Sequence, residues 1–245
     1  MASVIDTLVL LQQGSLEVAG LLPWSSNYTF LVQISLDGEE VVAVYKPQRG
    51  ERPLWDFPQG TLYQREEAAF LTSDALGWDL VPATVIRDGP HGLGSVQQFV
   101  DHDPERHYFT LEGQAEYSAQ LQQIVLLDAI INNADRKGGH VLLQEHENQP
   151  DRLWAIDHGV CFHAEPKLRS VIWEFAGEPI PMAQMAALTA FQENLATNNN
   201  LIRTRLNELL NEREVRALLF RLRSLIEQGR FPHPNPGRHY PWPPV

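Results

Sequence analysis

Four widely spaced side chains in this 245-residue sequence have the right types for one kind of chemistry. Lys46 ends the apolar run "VVAVYKP", Glu66 lies in "REEAAF", Asp135 opens "DRKGGH", and Asp157 closes "LWAID" ahead of His158 and Gly159. Moving a phosphoryl group needs a cation on the nucleotide phosphates, a carboxylate to place that cation, a metal-binding carboxylate and one that orients the attacking hydroxyl. Each residue alone has an ordinary explanation. A lysine at a strand end snorkels, a helical glutamate is solvated, and an aspartate before glycine makes a turn. Their order in the chain is what points to phosphoryl transfer.

The elements that must carry these groups are readable from periodicity. Residues 4–13 predict a short helix ended by Gly14, followed by strands in "SLEVAGLL" and "TFLVQISL". Asp37-Gly38 predicts a hairpin into the Lys46 strand. Residues 60–77 have helical spacing, so Arg65, Glu66 and Glu67 share a helix and either glutamate can face inward. Strands "ATVIRD" and "GSVQQFV" complete an antiparallel sheet. Beyond residue 112 the pattern is mainly helical, interrupted by the Asp135 loop and by short strands "HVLLQ" and "LWAID". Helices are expected over 181–197, 201–210 and 212–228, the last with Asn211 and Glu214 in capping-box spacing and Gly229 as its stop. Met182, Met185, Leu188 and Phe191 fall at helical spacing and read as core. The expected fold class is α+β: a two-lobed protein-kinase-like fold with an antiparallel β-sheet N-lobe carrying one helix and a mainly helical C-lobe. The expected divisions are 1–100, 101–228 and a proline-rich tail, 229–245, that is extended and either mobile or laid along the body.

Composition excludes other classes. Lys plus Arg is 19 against 31 Asp plus Glu, a net charge of −12 that argues against nucleic acid and against docking on anionic membranes. The single cysteine, Cys161, gives no internal disulfide. The N-terminus lacks the basic start of a signal peptide, and no apolar run approaches the ~20 residues of a membrane span, so a cytoplasmic location is expected. His140, His158, Cys161 and His163 lack the compact paired spacing of a closed zinc site.

The segments "VYKP", "REEAAF", "VPATV", "GSVQQFV", "NNADRKGGH" and "AIDHGVCFH", with "LRSVIWEFAGEP" after them, resemble the ordered motifs of the phosphatidylinositol 3-/4-kinase-like superfamily. The likeness spans roughly residues 14–180. It is greatest to type II phosphatidylinositol 4-kinases, fainter to HipA-type kinases, and narrowest to a group of small bacterial proteins. The resemblance implies an ATP-dependent kinase using Mg²⁺ or Mn²⁺. It makes Lys46 the phosphate-contacting lysine, Glu66 its helix partner, and Ser25, Ser26 and Asn27 the turn covering the phosphates. It puts Gln97, Gln98 and Phe99 at the adenine-holding hinge, with Asp135 as the catalytic aspartate and Asp157 as the metal ligand.

One departure matters. His140 stands five residues after Asp135, where the family has a metal-ligating Asn, and imidazole suits Mg²⁺ poorly. A catalytically impaired nucleotide-binding module and an AMP transferase therefore stay open beside the kinase. Type II enzymes reach membranes through a lipidated cysteine-rich insert and basic surfaces, which this acidic, one-cysteine chain lacks. The expected acceptor is a protein side chain or a soluble hydroxyl compound. Lys167 and Arg169 would face it, or form a solvated basic pair.

Overall fold

The computed structural model describes residues 6–22, 27–197 and 200–245. Its first half is a five-stranded antiparallel sheet built from β1 (Ser15–Leu21), β2 (Phe30–Leu36), β3 (Glu39–Pro47), β4 (Thr84–Gly89) and β5 (Gly92–Gln98), in the order β1-β2-β3-β5-β4. Asp37 and Gly38 both take positive φ (52° and 89°), which sets the tight turn and pairs Leu36 with Glu39. Alternation along β2 and β3 sends Val32, Ile34, Ala43 and Tyr45 to one buried face. Helix α1 (Thr7–Gln13), N-capped by Asp6, adds Leu10 and Leu11 to that core, so the sheet carries α1 as well as α2 (Leu62–Ala75).

Lys46 lies opposite Ser95 near the end of β3. Behind it, Gly94 has no room for a side chain: a Cβ would sit 2.5 Å from the Lys46 carbonyl oxygen and 2.7 Å from Pro47 Cα. That glycine lets β3 and β5 come together where the lysine leaves the sheet.

The second half packs α3 (Tyr108–Leu111), α4 (Ser118–Ile131), α5 (Met182–Ala196), α6 (Leu201–Leu209) and α7 (Glu212–Gln228) with the hairpin β6 (Val141–Gln144)–β7 (Arg152–Ala155). Helix α4 is buried on every face from Ile124 onward and ends where Asn132 turns left-handed (φ 55°). The capping box on α7 is formed at both ends, Asn211 with Glu214, and Gly229 stops it at φ 64°. On α5, Leu188 and Phe191 are core and Met185 is half-buried, but Met182 is 90% exposed, contrary to the sequence expectation. It occupies the first helical position, directly after Pro181, and falls outside the packed stripe.

The proline-rich segment lies along the body. Phe231 is buried and exchanges backbone hydrogen bonds with Gly177 and Glu178 (3.1 and 2.9 Å). Farther on, the His239 carbonyl accepts from Ser170 N–H at 3.0 Å and the Pro244 carbonyl from Gly138 N–H at 2.7 Å.

Helix α2 is held to the second half by charge as well as by apolar packing of Ala68, Ala69, Phe70 and Leu71. The buried Arg65 guanidinium donates to the Glu214 carboxylate of α7 at 2.6 Å and to the Cys161 carbonyl at 2.8 Å. Glu67 takes a two-pronged contact from Arg205 of α6, both oxygens at 2.9 Å, with the arginine 41% exposed. These two pairs differ in consequence. Glu214→Ala strands a buried cation and removes half of the α7 cap, so urea unfolding should lose about 3–5 kcal/mol. Arg205→Ala should lose about 1 kcal/mol or less, because solvent already screens that pair.

Candidate active site

Lys46 reaches out of the sheet to two carboxylates. Its Nζ lies 2.5 Å from Glu66 Oε1 and 3.0 Å from Asp157 Oδ1. Of the two candidate glutamates on α2, Glu66 is therefore the inward one, while Glu67 meets Arg205. The other Glu66 oxygen accepts from His158 N–H at 3.0 Å, so this carboxylate also fixes the backbone just after Asp157. Burial pulls the Lys46 ammonium down, but Asp157 and Glu66 outweigh it and leave its pKa raised. Lys46 in turn holds Asp157 well below the usual carboxylate range, although the Asp157 side chain is 51% exposed and water in the cleft weakens the pair. Asp157 sits at φ 60°, a left-handed conformation that is sparsely populated by residues other than glycine.

Asp135 shares this cavity. A space of about 80 Å³ is walled by Lys46, Glu66, Asp135, Asp157 and Val160 among others, and Asp135 also borders a larger cavity of about 430 Å³. Burial pushes the Asp135 carboxyl up to about 6, against the pull of Lys137 at 3.8 Å. Its backbone N–H donates to Asn133 Oδ1 at 2.9 Å, which closes the loop on itself.

The adjacent Arg136 is fully buried and uses all five of its donors. Two go to Asp128 on α4 (2.8 and 2.9 Å), one to the His140 carbonyl (3.0 Å), one to the Ile156 carbonyl (2.9 Å) and one to His158 Nε2 (2.7 Å). Because guanidinium only donates, His158 must accept through Nε2, and burial holds its ring neutral. Sequence reasoning gave Arg136 and Asp128 no role. The signal was present: a carboxylate inside the apolar run "IVLLDAII" has to find a buried partner.

His140 tests whether a divalent ion fits. Its Nδ1 lies 3.0 Å from the Asp135 carbonyl, which can only accept, so Nδ1 carries the proton. Burial lowers the ring to about 4 even with Asp157 beside it, so Nε2 presents a lone pair. That lone pair stands 3.4 Å from Asp157 Oδ2, one acceptor facing another. Two such groups side by side suit neighbouring positions around a cation. Among the described residues no cluster of three His, Cys, Asp or Glu forms a complete cage, so phosphate and water oxygens would have to fill the rest.

The remaining sequence candidates fall as follows. Asn27 borders both cavities, and its Oδ1 accepts from Arg52 N–H at 2.9 Å; Ser25 and Ser26 lie outside the described residues. Gln97, Gln98 and Phe99 do not line either cavity. Gln97 is buried with its amide on Thr84 Oγ1 at 2.8 Å, because it is an inward position of β5. The Gln98 and Phe99 N–H groups are already donated to Ala83 and Val42. Lys167 pairs with Asp56 at 2.9 Å, whereas Arg169 faces the larger cavity. Cys161 is buried, and burial pushes its thiol up.

Residues 87–211 match the family model described as phosphatidylinositol 3- and 4-kinase. Protein Rv2133c of Mycobacterium tuberculosis is 36% identical over 97% of this chain and 95% of its own length. Phosphatidylinositol 4-kinase gamma 4 of Oryza sativa subsp. japonica is 29% identical over 57% of this chain and 25% of its own. Among solved structures, the Golgi casein kinase with Mn/ADP bound superimposes with a TM-score of 0.59 at 15% identity, over 91% of this chain and 74% of that one. The α+β, two-lobed kinase-like architecture expected from the sequence is thus the architecture found.

Asp128→Ala would leave the Arg136 charge buried without a carboxylate. Chemical unfolding should show a loss of about 3–5 kcal/mol. Asp128→Asn, which keeps an acceptor in place, should lose clearly less in the same measurement.

Proposed function

Given that the chain belongs to the phosphatidylinositol 3- and 4-kinase family, we propose that it is an ATP-dependent phosphotransferase acting on a hydroxyl acceptor. The observation that carries this reading is Lys46 held between Glu66 and Asp157 on a cavity wall that Asp135 shares. In this reading Glu66 keeps the ammonium aimed into the cleft, and phosphate oxygens replace Asp157 as its second partner. Asp157 and His140 would hold a divalent ion, which when bound neutralises charge on the phosphates. Mn²⁺ suits a nitrogen ligand better than Mg²⁺ does, and the Golgi casein kinase structure holds Mn with ADP.

Asp135 accepts a hydrogen bond from the acceptor hydroxyl and takes its proton as the new O–P bond forms and the β–γ bridge breaks, releasing ADP. A carboxyl pushed up to about 6 is a stronger base than an ordinary aspartate, which favours that transfer. We assign residues 1–100 to the nucleotide-covering lobe, 101–228 to the lobe bearing both aspartates, and 229–245 to the strap laid across it. Adenine would lie toward Gln97–Phe99 at the junction, using backbone groups beyond those already paired.

A second reading, nucleotide binding without transfer, is favoured by His140 at an oxygen-ligand position. The two separate cleanly. Asp135→Asn should retain ADP binding by calorimetry and lose ATP turnover by at least about a hundredfold. Unchanged turnover in that variant removes the role given to Asp135, and no turnover by the unmodified protein with either Mg²⁺ or Mn²⁺ selects the second reading. His140→Asn should shift metal preference in the ADP complex from Mn²⁺ toward Mg²⁺, read by competition between the two ions.

A further inference from the structure

Between β3, which carries Lys46, and α2, which carries Glu66, residues 48–61 leave the sheet and return with only one short turn of helix, Gln48–Gly50. Pro47, Pro53 and Pro58 keep this stretch from continuing either element. Its base is drawn together. Gln48 Nε2 donates to the Gly60 carbonyl at 2.9 Å, and Glu51 Oε1 accepts from Tyr63 N–H, in the first turn of α2, at 2.9 Å. A stretch closed at its base in this way is an Ω-loop.

The tip of the loop lands on the second half of the molecule. Lys167 Nζ lies 2.9 Å from Asp56 Oδ2, with both side chains largely buried, and 5.2 Å from the centre of the exposed Trp55 ring. Phe57 is buried with its ring edge-to-face on His163, centres 5.3 Å apart. The seat beneath them is firmly built. Asn132, the left-handed residue that ends α4, donates to the His163 and Glu165 carbonyls (2.8 and 2.7 Å) and accepts from Lys167 N–H (2.8 Å).

This loop also walls the site. Arg52, Trp55 and Asp56 border the larger cavity, about 430 Å³, together with Arg169 and Arg238. That space shares Asn27, Leu62 and Asp135 with the smaller cavity beside Lys46, and Arg52 N–H donates to Asn27 Oδ1 at 2.9 Å. Moving the two halves apart would break the contacts of Arg65, Glu66 and Glu67 with three different elements. Lifting the loop tip breaks one ion pair and the ring contacts beside it, which is the smaller cost.

Resting on the nucleotide-binding part of the phosphotransfer reading, we propose that residues 52–59 are a flap over the phosphate end of the nucleotide site. Asp56 and Lys167 are the positioning pair that holds this flap shut and so sets how fast nucleotide leaves. The flap lifts at its tip about its tied base, while Lys46 and Glu66 on either side of it keep their places.

The test uses the full chain with Mn²⁺ and a fluorescent ADP analogue chased by excess ADP. Asp56→Asn and Lys167→Gln should each speed release roughly tenfold, through loss of one charge-assisted hydrogen bond. The exchanged pair, Asp56→Lys with Lys167→Asp, should return release to within about threefold of the unmodified protein, a recovery that damage at either position alone would not give.

Hydrogen exchange of the nucleotide-free protein is the arm independent of ligand. Exchange at the Arg52 amide and through residues 52–59 should rise in both single variants and fall back in the exchanged pair, with α7 unchanged. Faster loop exchange in variants of a protein that binds no ADP with either Mg²⁺ or Mn²⁺ keeps the flap and defeats the nucleotide reading. Equal ADP release from all four proteins overturns the proposal and leaves that reading standing. Loop exchange that does not change, or that rises together with α7, also overturns it.

Discussion

The distance between the two aspartates is governed by one buried guanidinium. Arg136 lies between the Asp135 loop and the strand that leads into Asp157, and its donors hold the carbonyls of His140 and Ile156, one in each segment. Its charge is balanced from beneath by Asp128, on a helix that is buried on all sides. Hydrogen bonds to a charged group contribute about 1.5–3 kcal/mol each, so a fully paired arginine resists the several-kcal/mol cost of taking its charge out of water. Such an arrangement is poor evidence for extra stability. It is good evidence for a fixed position, since any shift of either loop would leave a donor unpaired in the dry interior.

A second set of charges fixes the lysine relative to that frame. Arg65, Glu66 and Glu67 are consecutive on α2, and a helix turns about 100° per residue, so they point to three different neighbours. Glu214 on α7, Lys46 on β3 and Arg205 on α6 receive them. Ala68, Ala69, Phe70 and Leu71 seat the helix in the core, and the three charged pairs fix its rotation and register. With Arg65 tied to the Cys161 carbonyl and Glu66 to His158 N–H, α2 is clamped directly to the segment that carries Asp157. The Lys46–Glu66 pair is thereby held in register with Asp157.

Much of this was legible because period and punctuation are local. The hairpin at Asp37-Gly38, the end of α1 at Gly14 and the cap and stop of α7 follow from dihedral and hydrogen-bonding preferences of single residues, and they lie where those preferences put them. Lys46, Glu66, Asp135 and Asp157 could be singled out because each ends or opens a recognisable element. Arg52, Trp55 and Arg238 could not. They stand in irregular segments far apart in the chain, and only the tertiary fold brings them to one cavity. The proline-rich strap was equally opaque for a chemical reason. Proline has no N–H, so the segment docks through carbonyls that accept from Ser170 and Gly138, and carbonyls leave no mark in a sequence. Met182 misled for the opposite reason: helical spacing persists into the first turn even where nothing packs against it.

Net charge illustrates the same limit. A surplus of twelve negative charges argues against polyanion surfaces, but it describes the whole surface, not any one concavity. At physiological ionic strength exposed charges more than about 8 Å apart are largely screened from one another. Carboxylates scattered over the outside of the chain therefore do little to cancel three guanidiniums that border one cavity. Inside it their field is strengthened by low-dielectric walls and opposed nearby chiefly by Asp135 and by Asp56, whose charge is already answered by Lys167. An acidic protein can thus repel extended anionic surfaces while one concavity of its own surface gathers three guanidiniums.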